Sequence, residues 1–253
     1  MKVNPIRIYF LLLFCTLLSA ENFESFTINN KTFYKENIQK NRSFDSSKKI
    51  CLENGYTLPT PLDYLLLDEQ KKVSLEKGLY WANKNFGSKA YYYSLKDNDI
   101  NILETDTELF SLCIKNDITK KVEKRFEKKN SWVFDNKTEL LWQLKTKANK
   151  RERFGFLQAK NYCQNLILDG LKGWRVPTLY ELSELAFEKV ENEKNFLSFF
   201  DETEPRYYRT SEEMGDFTDA SFVVGFKIGS VANVTNDENV FVRCVHDKIN
   251  NAK

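Results

Sequence analysis

The feature that most limits what this chain can fold into is an internal repeat in which each copy carries two cysteines. Residues 90–113 read AYYYSLKDNDINILETDTELFSLC, and residues 220–244 read ASFVVGFKIGSVANVTNDENVFVRC. The Ala-to-Cys separations are 23 and 24 residues. Upstream, YTLPTPLDYLLL begins at Tyr56 and WRVPTLYELSEL at Trp174. A helix-like stretch ending in cysteine precedes each phrase, SSKKIC at Cys51 and LQAKNYC at Cys163. Asn30-Lys31-Thr32 is matched with Asn136-Lys137-Thr138, and Tyr80-Trp81 with Tyr207-Tyr208. Self-similarity of this kind means one structural plan used twice.

The repeat also decides between disulfide pairings. Cys51, Cys113, Cys163 and Cys244 allow three connectivities. None of them lies in a CxxC or other metal-type spacing, and His246 is the single histidine, so a zinc site has almost no donors. One early and one late cysteine per copy favours Cys51 with Cys113 and Cys163 with Cys244. Closing loops this long is worth about 4 kcal/mol each when the native geometry is relaxed.

An even cysteine count fits an oxidising compartment, and the N-terminus reads as an export signal. Lys2 and Arg7 precede an uncharged apolar run over residues 8–18, and Leu18-Ser19-Ala20 offers a small-residue cleavage site. Cys15 raises the lipoprotein alternative, but Phe14 is bulky for that processing and the apolar run continues past it. Residues 1–20 are therefore expected to be removed, leaving a periplasmic or extracellular protein with no membrane span. With Lys2 and Arg7 gone, 36 basic residues face 36 acidic ones. A nominally neutral chain has no global field for nucleic acid. Composition, 42% hydrophobic with 9 Gly and 5 Pro, is that of a folded chain.

Local signals predict an α+β fold: two helices and then an antiparallel sheet in each copy, with one disulfide per domain. Thr60 caps a helix with Pro61 at its first position and Asp63 at the third, and Thr178 with Glu181 makes a capping box. Leu179, Leu182, Leu185 and Ala186 share one face of the second of these helices. Residues 91–95, 100–103 and 109–114 read as strands, as do 221–228, 231–234 and 240–245, with Gly229-Ser230 as a turn. The expected organisation is a signal peptide over 1–20, a divergent domain over 21–117, a basic linker over 118–130, a second domain over 131–247 and a tail over 248–253.

Copy two resembles the Lcl C-terminal domain, a domain of exported bacterial proteins. The resemblance rests on Asp135-Asn136, Thr138, Leu140, Trp142-Gln143, Ala159, Cys163, Gly173-Trp174-Arg175-Val176-Pro177-Thr178, Glu181-Leu182 and Val242-Arg243-Cys244-Val245. It covers residues 131–247, and copy one is recognisable mainly through its parallel with copy two. The resemblance implies a C-type-lectin-like fold in each copy, and a role in adhesion and in binding sulfated polysaccharide.

Catalysis and metal binding are not expected. Calcium-dependent lectins carry Glu-Pro-Asn or Gln-Pro-Asp and a Trp-Asn-Asp stretch. This chain has Glu204-Pro205-Arg206 and Thr235-Asn236-Asp237, and a cation at Arg206 opposes a site built from oxygens. The phrase at Trp174 is also similar to sulfatase-modifying enzymes, whose chemistry needs a reactive cysteine or copper, and the pairing leaves no spare thiol after cleavage. Trp174 is read as core, Arg175 as pairing with a carboxylate, Glu181 as a cap and His246 as solvated.

Charge is unevenly spread. Residues 119–153 hold twelve Lys or Arg against five Asp or Glu. One reading is a solvated linker helix anchored by Val122 and Phe126. The other is a polyanion contact made by Lys145, Lys147, Lys150, Arg151 and Arg153, ahead of copy two's first helix. Trp81, Tyr91, Tyr92 and Tyr93 are candidates for a sugar-stacking surface, with alternation sending Tyr92 to the face opposite Tyr91 and Tyr93. Two functions follow. The first is an exported, non-catalytic binding or adhesion module for an acidic glycan or envelope polyanion, without cofactor. The second is a structural or assembly factor that binds another cell-envelope protein.

Overall fold

A computed structural model describes residues 23–28, 30–67, 75–115, 124–214 and 219–247. The expected signal peptide with Cys15, the tail, and Lys120 and Val122 of the basic stretch lie outside the described residues.

The protein is α+β. Its N-terminal half runs β1 (Phe23–Ile28), β2 (Lys31–Glu36), α1 (Phe44–Glu53), α2 (Pro61–Tyr64), β3 (Leu79–Phe86), β4 (Lys89–Ser94), β5 (Asp99–Glu104) and β6 (Leu112–Ile114). The C-terminal half begins with β7 (Phe126–Lys128), β8 (Trp132–Asp135), β9 (Leu140–Gln143), β10 (Arg153–Phe154) and α3 (Phe156–Gln164). Then come α4 (Leu179–Glu191), α5 (Glu193–Phe199), β11 (Tyr207–Glu213), β12 (Ala220–Gly225), β13 (Ser230–Thr235), β14 (Val240–Phe241) and β15 (Val245–Asp247).

The helix starts are those the caps dictate. Thr60 Oγ1 accepts from the Asp63 amide at 3.3 Å while Asp63 accepts from the Thr60 amide at 2.7 Å. Thr178 and Glu181 repeat the exchange at 3.2 and 2.8 Å. Each box satisfies two amides that the first turn leaves without partners. Leu179, Leu182, Leu185 and Ala186 are buried, as their spacing requires.

Both disulfides form in the pairing expected from the repeat, with Cα–Cα distances of 5.5 Å for Cys51–Cys113 and 5.6 Å for Cys163–Cys244. Other contacts recur between the halves. Thr57 bridges Ile114 and Arg175 bridges Val245. Tyr80 bridges Phe110 in parallel, and Tyr208 pairs with Phe241 in parallel. The hairpin registers place Tyr80 opposite Tyr93 and Tyr208 opposite Val224. Tyr80 therefore corresponds to Tyr208 and Trp81 to Arg209, one residue away from the match made on sequence. Both Asn-Lys-Thr phrases lie at the turn of the matching hairpin, β1–β2 or β8–β9, but three residues out of phase, since Phe33 pairs with Ile114 where Trp142 pairs with Val245.

Sheet organisation departs from the expectation of one antiparallel sheet per copy. Strands of both halves join in one eight-stranded sheet, ordered β10-β14-β11-β12-β13-β5-β4-β3, through an antiparallel pairing of Val231 with Ile100. Each half adds a smaller sheet, β1-β2-β6 or β15-β9-β8-β7. The largest buried cluster likewise spans both halves, with Tyr91, Tyr93 and Ile100 beside Leu182, Phe187 and Val231. Among the described residues, the C-terminal half also carries three helices rather than two. Its last expected strand, 240–245, is split into β14, which pairs with β10 and β11, and β15, which pairs with β9; between them Cys244 N bonds the Gln143 side chain at 3.1 Å.

The basic linker over 118–130 is corrected in its described part. Residues 126–128 are a strand paired to β8, not a solvated helix, and Phe126 is buried among Phe196, Phe199 and Phe200. Arg125 explains why a charged segment can enter the fold. Its guanidinium meets Asp135 at 2.9 Å, Glu188 at 2.8 Å and Glu184 at 3.4 Å. Burial works against that charge, but the three carboxylates prevail and raise its pKa.

Candidate functional site

The predicted cationic site occupies the connection between β9 and β10. The chain leaves β9 and makes a helical turn in which Asn149 Oδ1 accepts from Thr146 N at 2.7 Å and Lys150 N bonds Thr146 O at 2.9 Å. It re-enters the large sheet at β10, where Arg153 pairs with Phe241 of β14. This turn holds Lys147, Arg151 and Arg153 at the surface, all three exposed. Arg153 lies over the Phe241 ring at 6.0 Å.

The other two predicted residues play different parts. Lys150 is half-buried and reaches Glu202 at 2.8 Å and Glu204 at 3.9 Å. Its hydrogen bond to Glu202 raises its pKa. Lys145 does not belong to an exposed cluster: its side chain is 1% exposed. The ammonium sits 3.5 Å from Tyr162 Oη, 5.2 Å from that ring's centre and 3.8 Å from Glu152. Burial and then the nearby Arg243 push its pKa down to about 8, against the pull of Glu152. Lys145 faces inward because Leu144 and Lys145 continue the buried path of β9, where every side chain is covered.

Arg243 is the centre of that interior. It is fully buried, with Nη1 donating to Gln143 O and Nη2 to Thr203 Oγ1, both at 2.8 Å. Its guanidinium also lies 5.0 Å from the Phe200 ring centre. Burial lowers its pKa. The Gln143 side chain ties Tyr162 Oη at 2.8 Å to the amide of Cys244. Gln143, Arg243 and Cys244 thus lock β9 against the disulfide. Period-two reading of Val242, Arg243 and Cys244 sends the arginine to solvent, which is why its role was missed. Arg209 is buried in a similar way, bonded to Ser221 and to the Glu238 carbonyl.

The expected aromatic stacking surface is absent. Trp81, Tyr91 and Tyr93 are fully buried, and Tyr92 is half-buried against the second core cluster. Trp81 Nε1 donates to Arg42 O at 2.9 Å, and Tyr64 stacks on Tyr93 with ring centres 4.9 Å apart. Both faces of β4 are covered, one by helices and the other by the smaller cluster.

Trp174 is core and donates to Leu171 O at 3.1 Å. Arg175 bridges Glu181 at 2.7 Å and Asp247 at 2.6 Å, linking the helix cap to β15. Burial acts to raise the Glu181 pKa, but Arg175 and the Thr178 amide bring it below the usual value. His246 is half-buried, edge-on to Trp174, with Nε2 at 2.9 Å from Lys172 O. At the lectin-type positions, Arg206 N bonds Glu204 O in a turn, and Asp237 accepts from Thr235 Oγ1. Among the described residues, no group of three or more His, Cys, Asp or Glu is arranged to hold a metal ion. No helix among them is long and apolar enough to cross a membrane.

These features define a disulfide-bonded α+β protein with an ordered cationic turn on its C-terminal half. Residues 131–246, a little under half of the chain, match the family model of the Lcl C-terminal domain. A comparison with curated proteins finds no match to the chain.

Proposed function

We propose that the protein is an exported, non-catalytic binding module that recognises an acidic glycan or another envelope polyanion through the turn between β9 and β10. The observation that carries this reading is the trio Lys147, Arg151 and Arg153, exposed and outside every described ion pair. Acids that pair with this segment are engaged by other lysines: Glu152 with Lys145, and Glu202 and Glu204 with Lys150. The trio is therefore left to meet anions from outside. Exposed pairs are individually worth about 0–1 kcal/mol, so affinity needs a polymer that engages several together and falls as salt rises.

The proposal extends to architecture and address. The N-terminal half is a divergent second copy of the matched domain, and both are C-type-lectin-like. The recurring caps, bridges and disulfides support that reading. Export with cleavage after Ala20 fits two disulfides, which persist in oxidising compartments.

Retention of the processed protein on an immobilised sulfated polysaccharide at low salt tests the binding. Reversing Lys147, Arg151 and Arg153 to Glu should abolish retention and leave the melting temperature unchanged. Absence of retention in the natural protein, or retention that survives the triple change, overturns the reading. A structural or assembly factor holding another envelope protein then becomes the better account.

A further inference from the structure

Where the two halves meet, a cleft of about 350 Å³ opens on the surface. The β3–β4 hairpin and β5 form one wall, and α4, α5 and the β12–β13 turn form the other. Phe86, Ile102, Val190 and Ile228 give it an apolar lining. Phe86 is 38% exposed, one of few large apolar side chains left open to water. It is nevertheless held in place, edge-on to Tyr91 with ring centres 5.3 Å apart. Tyr91 is itself fixed from the other half, donating to the Ile228 carbonyl and meeting the Phe187 ring at 5.4 Å. The wall is thus built before any ligand arrives, which removes an ordering cost from binding.

The polar lining is one-sided. Three lysines, Lys89, Lys189 and Lys227, face one carboxylate, Glu193. Lys189 is committed to Glu193 at 2.7 Å and is almost covered. Lys89 holds Glu104 at 3.4 Å, with both side chains about half exposed, so this is a pair that water and salt readily exchange. Lys227 is exposed and makes no ion pair among the described residues. An apolar wall beside one unpaired lysine, Lys227, and a second, Lys89, held only by an exchangeable pair recognises a molecule with the opposite division, a hydrocarbon body and an anionic end. Binding sites for small molecules combine a preformed apolar lining with a few polar groups that fix orientation in this way.

We propose that this cleft binds a small organic carboxylate with an aryl or alkyl body. The carboxylate lies at Lys227 and Lys89, and the body rests on Phe86, Ile102 and Ile228. Because both halves supply the walls, the ligand also bridges them. The site shares no residue with the turn that carries Lys147, Arg151 and Arg153, so its failure and the failure of the glycan reading are separate events.

The test is a titration of the full chain after cleavage, followed by amide NMR, with 2-naphthoate as probe and neutral 2-naphthylmethanol as control. Saturable shifts are expected around Phe86, Lys89, Ile102 and Lys227, with the alcohol about tenfold or more weaker. Lys227→Gln and the double change Lys89→Gln with Lys227→Gln should weaken 2-naphthoate binding and leave the melting temperature unchanged, since neither sets like charges opposite each other at the Lys89–Glu104 position. Phe86→Ser should weaken both probes. Equal binding of the alcohol, shifts scattered over the surface, no saturation at millimolar probe, or undiminished binding by the lysine variants would overturn the proposal.

Discussion

Ile100 of β5 and Val231 of β13 face each other in the interior of the eight-stranded sheet, and each stands 13 residues before the second cysteine of its half. The strand that pairs across the seam is thus the same strand of the plan on both sides, running antiparallel to its counterpart. Both side chains are fully buried in the shared cluster. The halves consequently protect each other's sheet edges, the exposed liability of an open sheet.

A shared sheet and core predict that the halves unfold together. Calorimetry should show one transition whose calorimetric and van't Hoff enthalpies agree. Ile100→Asp places a charge in that core and should split or broaden the transition. Two resolved transitions in the natural protein would show that the seam couples them weakly.

Phe187 and Gly229 form the second test of the seam. Gly229 has φ of +68°, and a Cβ there would approach the Phe187 ring at 2.7 Å. Gly229→Ala should cost about 1–3 kcal/mol from strain and overlap. Phe187→Ala should cost about 3–5 kcal/mol by opening a cavity beside Tyr91. Urea denaturation of the double variant should give less than the sum, since removing the ring removes the overlap.

Arg125 supports buried carboxylates rather than a ligand. Asp135 is fully buried and bonded by Arg125 through both oxygens. Arg125→Met should therefore cost about 3–5 kcal/mol in chemical denaturation, because it strands Asp135 in the interior. A loss within the range of a surface substitution would restore the reading of a solvated linker.

Lys145 predicts a pH dependence of stability. Its folded pKa, near 8, lies below the unfolded value of 10.5. Between those values the unfolded chain binds more protons, so stability rises with pH. Below pH 8 both states are protonated, and the penalty is present in full. Lys145→Met escapes that penalty but loses the Tyr162 contacts. Relative to this variant, the natural protein should gain up to about 3 kcal/mol between pH 8 and 10.5, read by urea titration at each pH. A flat difference would mean that the ammonium is solvated in the folded protein.

Disulfide mapping under non-reducing conditions should recover Cys51–Cys113 and Cys163–Cys244. Replacing either pair by Ala should cost about 4 kcal/mol, since each closes a long loop. A cross-half link would contradict the common plan.

Local physics made much of this legible beforehand. The caps at Thr60 and Thr178 need only the neighbouring four residues, and the buried face of α4 needs only a 3.6-residue period. Trp174 as core, Arg175 paired to carboxylates and Glu181 as a cap were each readable from short-range chemistry. The disulfide pairing followed from sequence alone because the repeat supplied the constraint that spacing lacks.

What depended on tertiary structure was everything requiring two distant segments to meet. Lys145 and Lys147 stand two residues apart and look alike as sequence, but one packs beneath Arg243 and Tyr162 while the other reaches water. Segment 126–128 reads as charged linker until Asp135 and Glu184 surround Arg125. The aromatic run at Tyr91 to Tyr93 reads as a sugar platform until α4 and the second cluster cover both its faces. Charge and hydrophobicity set each residue's preference, whereas burial depends on which surfaces pack together. The pairing of Ile100 with Val231 joins two halves that the repeat had described only one at a time.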